Sequence, residues 1–171
     1  DATNAFEKLK DIDPKTMGVD AIKEGFEQAK GLAEEQGKVA MQVASDTKAS
    51  LDSVSQDFLN NGKSAKELFA NPDFKQGMLN YVQSLEQGYA AQLFSSGALR
   101  EQAEEAAKLT EGFSALDEAG KEKRIQEQES AMVQAKASKD ARDAGNKYLK
   151  SIQDQSDANE KARKEAAQRA A

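Results

Sequence analysis

From Val19 to Phe58, apolar or small residues return every three or four positions: Ile22, Phe26, Ala29, Ala33, Gln36, Ala40, Val43, Thr47, Leu51, Val54 and Phe58. Ten turns of that spacing predict one long helix with a narrow seam of coiled-coil type. Asp20 suits the N-cap, because its carboxylate can accept from the orphan amides of a first turn, and Asn60-Asn61-Gly62 supplies a stop. Gln36 and Thr47 put polar groups on the seam, where they can fix register at some loss of stability. Gly25, Gly31 and Gly37 each lower helix propensity by ~1 kcal/mol relative to Ala. Close packing against a neighbouring helix is the expected reason for them.

The middle of the chain has a different texture. A short helix over Ser64 to Phe69 runs into Asn71-Pro72, a stop followed by a fresh start with Pro72 near the first helical position and Asp73 in the first turn. Phe74, Met78, Tyr81, Val82, Leu85, Tyr89 and Leu93 trace one helical face. Phe94-Ser95-Ser96-Gly97 reads as a turn, and Leu99, Ala103, Ala106, Leu109 and Phe113 as a further helix. Seven of the ten aromatic residues fall between Phe58 and Phe113, which predicts the core of a compact lobe.

From Asp117 onward there is no Pro, and only Gly120 and Gly145 interrupt. About fifty residues can therefore form one helix on the order of 80 Å long. Its apolar marks are thin: Ile125, Met132, Ala135, Ala141, Tyr148 and Ile152, then Ala158, Ala162 and Ala166. Such a stripe buries a face only against another long helix, and the 19–58 segment is the available partner. The Ala-rich last turns contribute little burial and are expected to fray or to dock on another molecule.

The expected fold is therefore all-α, an elongated bundle of two long amphipathic helices with a small aromatic-rich helical module inserted between them. Residues 1–18 form a short helix or strap, broken at Pro14 and Gly18 after an apolar set of Ala5, Phe6, Leu9 and Ile12. Residues 19–60 form the first bundle helix, 61–116 the compact module and 117–171 the second bundle helix.

Composition narrows the chemistry. The chain has no Cys and no His, which removes the thiolate nucleophile, the commonest general base near neutral pH and the commonest transition-metal ligands. Carboxylate pairs such as Glu34-Glu35, Glu104-Glu105 and Asp140 with Asp143 fall on helix surfaces, and nothing in the pattern predicts a buried carboxylate. Ser95 and Ser96 have no histidine base, and the glycines lack phosphate-loop spacing. A non-enzymatic protein without metal or cofactor is the expectation.

Net charge is −6, and its distribution is uneven. The first 116 residues carry 12 basic and 19 acidic side chains, the remainder 12 and 11. With basic and acidic residues interleaved there is no concentrated footprint for phosphate, so nucleic acid is not an expected partner. No apolar run approaches the ~20 residues that span a bilayer. The first residue is Asp1, which fits a mature protein freed of a signal peptide as well as it fits a trimmed chain.

The Gln/Glu/Lys-rich run Glu118 to Gln134, the stretch Leu68-Phe69-Ala70-Asn71-Pro72-Asp73-Phe74 and the Gln/Ala/Arg-rich tail Asn159 to Ala171 resemble the minor pilins of type IV secretion systems. The likeness lies in architecture rather than in a diagnostic motif. It implies an extracytoplasmic protein at a pilus tip, acting in adhesion or pilus assembly, with pilus subunits, a cell-surface target or further copies of itself as partners. Exposed parts of the middle module would make the contact, with Tyr81, Tyr89 and Phe94 as candidates. Two other readings fit the same helices: an amphipathic lipid carrier that opens its bundle, and a helical scaffold or coiled-coil partner in the cytoplasm.

Overall fold

The computed structural model describes residues 14–170, with side chains from Gly18 onward, and every regular element among them is helical. In chain order these are α1 (Pro14–Asn60), α2 (Ala65–Ala70), α3 (Pro72–Ser96), α4 (Arg100–Lys108), a 3-10 turn (Phe113–Ala115) and α5 (Glu118–Ala170). The all-α expectation holds. The strap expected before Pro14 lies outside the described residues.

Helix boundaries follow local chemistry. α1 opens on Pro14, whose missing N–H suits a first helical position, so Asp20 sits inside the helix rather than capping it. It closes in a Schellman arrangement. Gly62 takes φ of 78°, its N–H reaches the Leu59 carbonyl at 3.2 Å, and the Lys63 N–H reaches Phe58 at 3.0 Å. The Arg163 guanidinium, from α5, donates to the same end at Leu59 O (3.0 Å) and Gly62 O (3.2 Å), where a cation meets the negative pole of the helix. Ser64 caps α2 by accepting from the Glu67 N–H, and Asn71 Oδ1 caps α3 by accepting from Asp73 (2.9 Å) and Phe74 (3.1 Å). Asp117 does the same for α5 through the Gly120 N–H at 2.7 Å.

The described chain forms two compact units. The first holds α1 up to Gln36 together with Ala90–Lys136, and the second holds Gly37–Tyr89 and the chain from Ala137 on. α1, α3 and α5 each contribute to both, so residues 61–89 pack in one unit and 90–116 in the other.

In the second unit Gly77 lies against Leu51 and Gly88 against Met41, so α3 runs antiparallel to α1. Tyr148 bonds Asp52 and Gln155 bonds Gln56, so α5 runs parallel to α1. The core of this unit holds Ala44, Leu51, Leu68, Phe74, Met78, Tyr81, Leu85, Ala141, Tyr148 and Ile152. α3 is thus a full member of the packing. The first unit is built around Leu99, Ala103, Ala107 and Val133, with Phe26 and Phe94 meeting edge to face at 4.9 Å.

The phase of the seams departs from the sequence expectation. On α1 the inward positions are Gly37, Ala40, Ala44, Leu51, Ser55 and Leu59, while Gln36, Val43 and Val54 face solvent. Four of these six inward residues are small and let the helices approach closely, with Leu51 and Leu59 filling the space between. Gly25 and Gly31 have open space where a side chain would stand, so close packing does not account for them. On α4 the buried residue is Ala107 rather than Ala106, and Leu109 is exposed. On α5 the inward line is Glu122, Glu129, Val133, Ala137, Ala141, Gly145, Tyr148, Ile152 and Ser156, whereas Ala135, Ala158, Ala162 and Ala166 are exposed. The last turns stay helical and exposed, apart from the Arg163 cap.

Candidate docking groove

Within the second unit an apolar groove of about 520 Å³ opens between α3 and α5. Phe69 and Phe74 close one end, their rings stacked at 5.8 Å, because the Asn71-Pro72 break turns the chain sharply between them. Met78, Leu79 and Val82 form the α3 wall, and Leu149 the α5 wall. Gly145 lies at the floor. A Cβ there would stand 2.7 Å from Val82 Cγ2, so glycine is what lets α5 reach this depth. The volume falls in the range of natural ligand pockets. Leu79 remains 63% exposed, so the groove presents apolar surface to solvent.

Its polar groups are few: the neutral Asn146 amide and two cations. Lys75 lies beside Phe74 at one end and makes no ion pair among the described residues. Arg142 lies toward Val82 at the other end, and its one partner among the described residues is the Ser138 carbonyl at 3.4 Å. Two unneutralised cations thus bracket an apolar floor in a chain whose net charge is negative.

The three aromatic residues singled out in the sequence do not share a face. Tyr81 is 8% exposed, its ring 5.8 Å from that of Tyr148 in the core. Tyr89 is half-buried against the same core, and Phe94 belongs to the first unit, against Phe26. The groove residues are their neighbours on α3. Met78 and Val82 were legible as an apolar face, but the exposure of Leu79 just outside that face carries no periodic signal.

The first unit contains buried carboxylates that the sequence did not announce. Arg100 Nη2 donates to both oxygens of Glu122 at 2.7 Å, and its Nη1 stands 3.6 Å from Glu129 Oε2. Lys30 Nζ stands 3.7 Å from Glu129 Oε1 and over the rings of Phe26 and Phe94. Glu129 is fully buried, and neither of its oxygens accepts a hydrogen bond from the protein. Burial pushes the Glu122 carboxyl up, but the Arg100 fork and the Gln126 amide outweigh it and hold the group below its ordinary value. A cavity of about 180 Å³ lies beside this cluster, between Phe26, Lys30, Arg100 and Glu122. Its cations already face carboxylates, so the cluster acts as an internal ion-pair network.

Among the described residues no group of three acidic side chains converges as a metal site, and no helix is long and apolar enough to cross a membrane. Protein families, curated proteins and solved structures give no match to the chain. Nothing in these comparisons links the chain to the minor pilins.

Proposed function

We propose that the protein is a non-enzymatic interaction and assembly protein that docks a protein partner in the α3/α5 groove. One observation carries this reading: an open apolar groove bounded by Lys75 and Arg142, both without ion pairs among the described residues, with Leu79 projecting at its edge. An apolar floor rimmed by charge is the form that helix-in-groove recognition takes. In the specific form that the sequence resemblance suggests, the protein is an extracytoplasmic minor subunit or adhesin of a type IV secretion pilus.

A photoreactive phenylalanine at position 79 tests the docking role in the cells that make the protein, with one at the exposed Lys150 as control. A discrete protein adduct specific to position 79 is expected. Lipid adducts in its place would establish the carrier reading, and labelling no greater than at position 150 would overturn a docking role for the groove.

A further inference from the structure

Resting on that reading, we infer that the groove's occupant is a second copy of this chain, entering by the outer face of its α1.

The groove sets requirements for its occupant. Lys75 and Val82 are two turns apart on α3, and Val82 meets Gly145, which lies three residues beyond Arg142 on the antiparallel α5. By helical rise the two cations stand roughly 15 Å apart along an apolar floor. A ligand with a single anionic head satisfies only one of them. A helix fits both when its apolar stripe carries two acidic residues about three turns apart.

α1 carries such a stripe within the same unit. Val43 with Asp46 and Val54 with Asp57 repeat one Val-x-x-Asp pair at an interval of eleven residues. Eleven residues make three turns, so Val54 stands nearly in line with Val43 and Asp57 with Asp46, two adjacent rows on one face, with the two carboxylates roughly 16 Å apart. Val39, 65% exposed, continues that face, and Val43 and Val54 are also exposed. Asp46 accepts only from Gln42 Nε2 at 2.9 Å, and no lysine or arginine pairs with Asp46 or Asp57 among the described residues. Meanwhile Leu51 faces α3 while Asp52 and Gln56 face α5, so the stripe is the side of α1 that its own unit leaves uncovered.

Cation spacing and carboxylate spacing therefore match, and the apolar residues between them meet the apolar floor. Stripe and groove are different surfaces, so the contact is head-to-tail and a copy that has docked still offers its own groove to the next. Ten residues line the groove, well short of a standard interface, so association is expected to be weak and to grow with concentration.

Sedimentation velocity on the full chain tests this. Average mass is expected to rise with protein concentration and to fall as salt is added, because two exposed ion pairs bracket the contact. The groove reversal Lys75→Glu with Arg142→Glu, and the stripe reversal Asp46→Lys with Asp57→Lys, are each expected to weaken self-association on the order of a hundredfold. Mixing the two variants should restore it, since each then offers the charge the other lacks. All four positions are exposed, and circular dichroism confirms that each variant remains helical. A wild-type chain that stays monomeric at the highest concentration, or a mixture that stays dissociated, would overturn the inference. If a protein adduct of another mass still forms at position 79, the docking reading survives and only the identity of the occupant fails.

Discussion

The hydroxyl of Tyr148 donates to Asp52 Oδ1 at 2.5 Å, a side-chain bond that ties α5 to α1 across the core of the second unit. Lys48 Nζ lies 5.4 Å from the centre of the same ring, and Tyr81 packs against it from α3. One residue thus reads the relative placement of three helices. Tyr148→Phe keeps the packing and removes the bond. Asp52 is exposed and can turn to water, so a loss of only about 1 kcal/mol is expected from urea unfolding.

Stability is expected to fall above about pH 10, the ordinary tyrosine value. Burial raises the Tyr148 hydroxyl well above that value, with the Asp52 carboxylate adding to it; burial also raises Tyr81, with Tyr89 and Asp52 adding. A raised value means that the folded protein keeps a proton the unfolded chain gives up. The contribution is therefore fully present below the ordinary value and is lost as pH rises through the higher folded ones. Tyrosinate absorbance should show Tyr81 and Tyr148 ionising late in the native protein and at the ordinary pH in denaturant. In Tyr148→Phe the alkaline decline in the unfolding midpoint should be shallower; an unchanged slope would remove Tyr148 as its source.

Much of this architecture was written in punctuation. Gly62, Asn71-Pro72 and Asp117 end and start helices through specific hydrogen bonds, so the breaks were legible. The phase of α1 was not, because ranking positions by hydrophobicity selects Val43 and Val54 over Ala44 and Ser55. Close helix approach rewards the small residues, and the valines are left on the outside. Glu122 and Glu129 were invisible as interior groups because their neutralising partners, Arg100 and Lys30, come from other helices. The groove was half legible: Phe74, Met78 and Val82 marked a wall, but its openness depends on Gly145 and on the absence of any described helix over Leu79.

The glycines of α1 and α5 should respond in opposite directions. Gly25 and Gly31 are exposed, with nothing within 4 Å of the place a methyl group would occupy, so alanine gains helix propensity at no steric cost. Gly25→Ala and Gly31→Ala are each expected to stabilise by about 0.5–1 kcal/mol and to add when combined. Gly145→Ala drives a methyl into Val82 Cγ2, and a β-branched side chain with one preferred rotamer cannot swing aside. A loss of about 1–3 kcal/mol is expected there. Thermal unfolding of the three variants checks the order, and a stabilised Gly145→Ala would show that the helices have room to part.

Arg100 and Glu129 should be unequal partners in the buried network. Arg100 satisfies Glu122 through both carboxylate oxygens, bonds Glu104 at 3.3 Å and faces Glu129, so Arg100→Met leaves buried Glu122 with the Gln126 amide and no close cation, and Glu129 with Lys30 alone. Removing the compensating charge from a buried pair costs about 3–5 kcal/mol. Glu129 receives no hydrogen bond, and its removal leaves Arg100 still held by Glu122 and Glu104, and Lys30 by Glu27 and the rings of Phe26 and Phe94. Glu129→Met is therefore expected to lie within about 1 kcal/mol of wild type, since an apolar side chain of similar length replaces an ion whose burial was poorly repaid. The double variant should then be more stable than the sum of the two singles, because the methionine at 129 removes one of the two buried carboxylates that Arg100→Met deprives of a cation. Acid sharpens the contrast. Glu122 sits below its ordinary value, so its contribution is present above the unfolded carboxylate range and is lost as pH falls through the lower folded value. Arg100→Met should abolish that acid-dependent loss, and urea midpoints measured from neutral pH into the acid range would reveal an unaltered profile if Arg100 were not its cause.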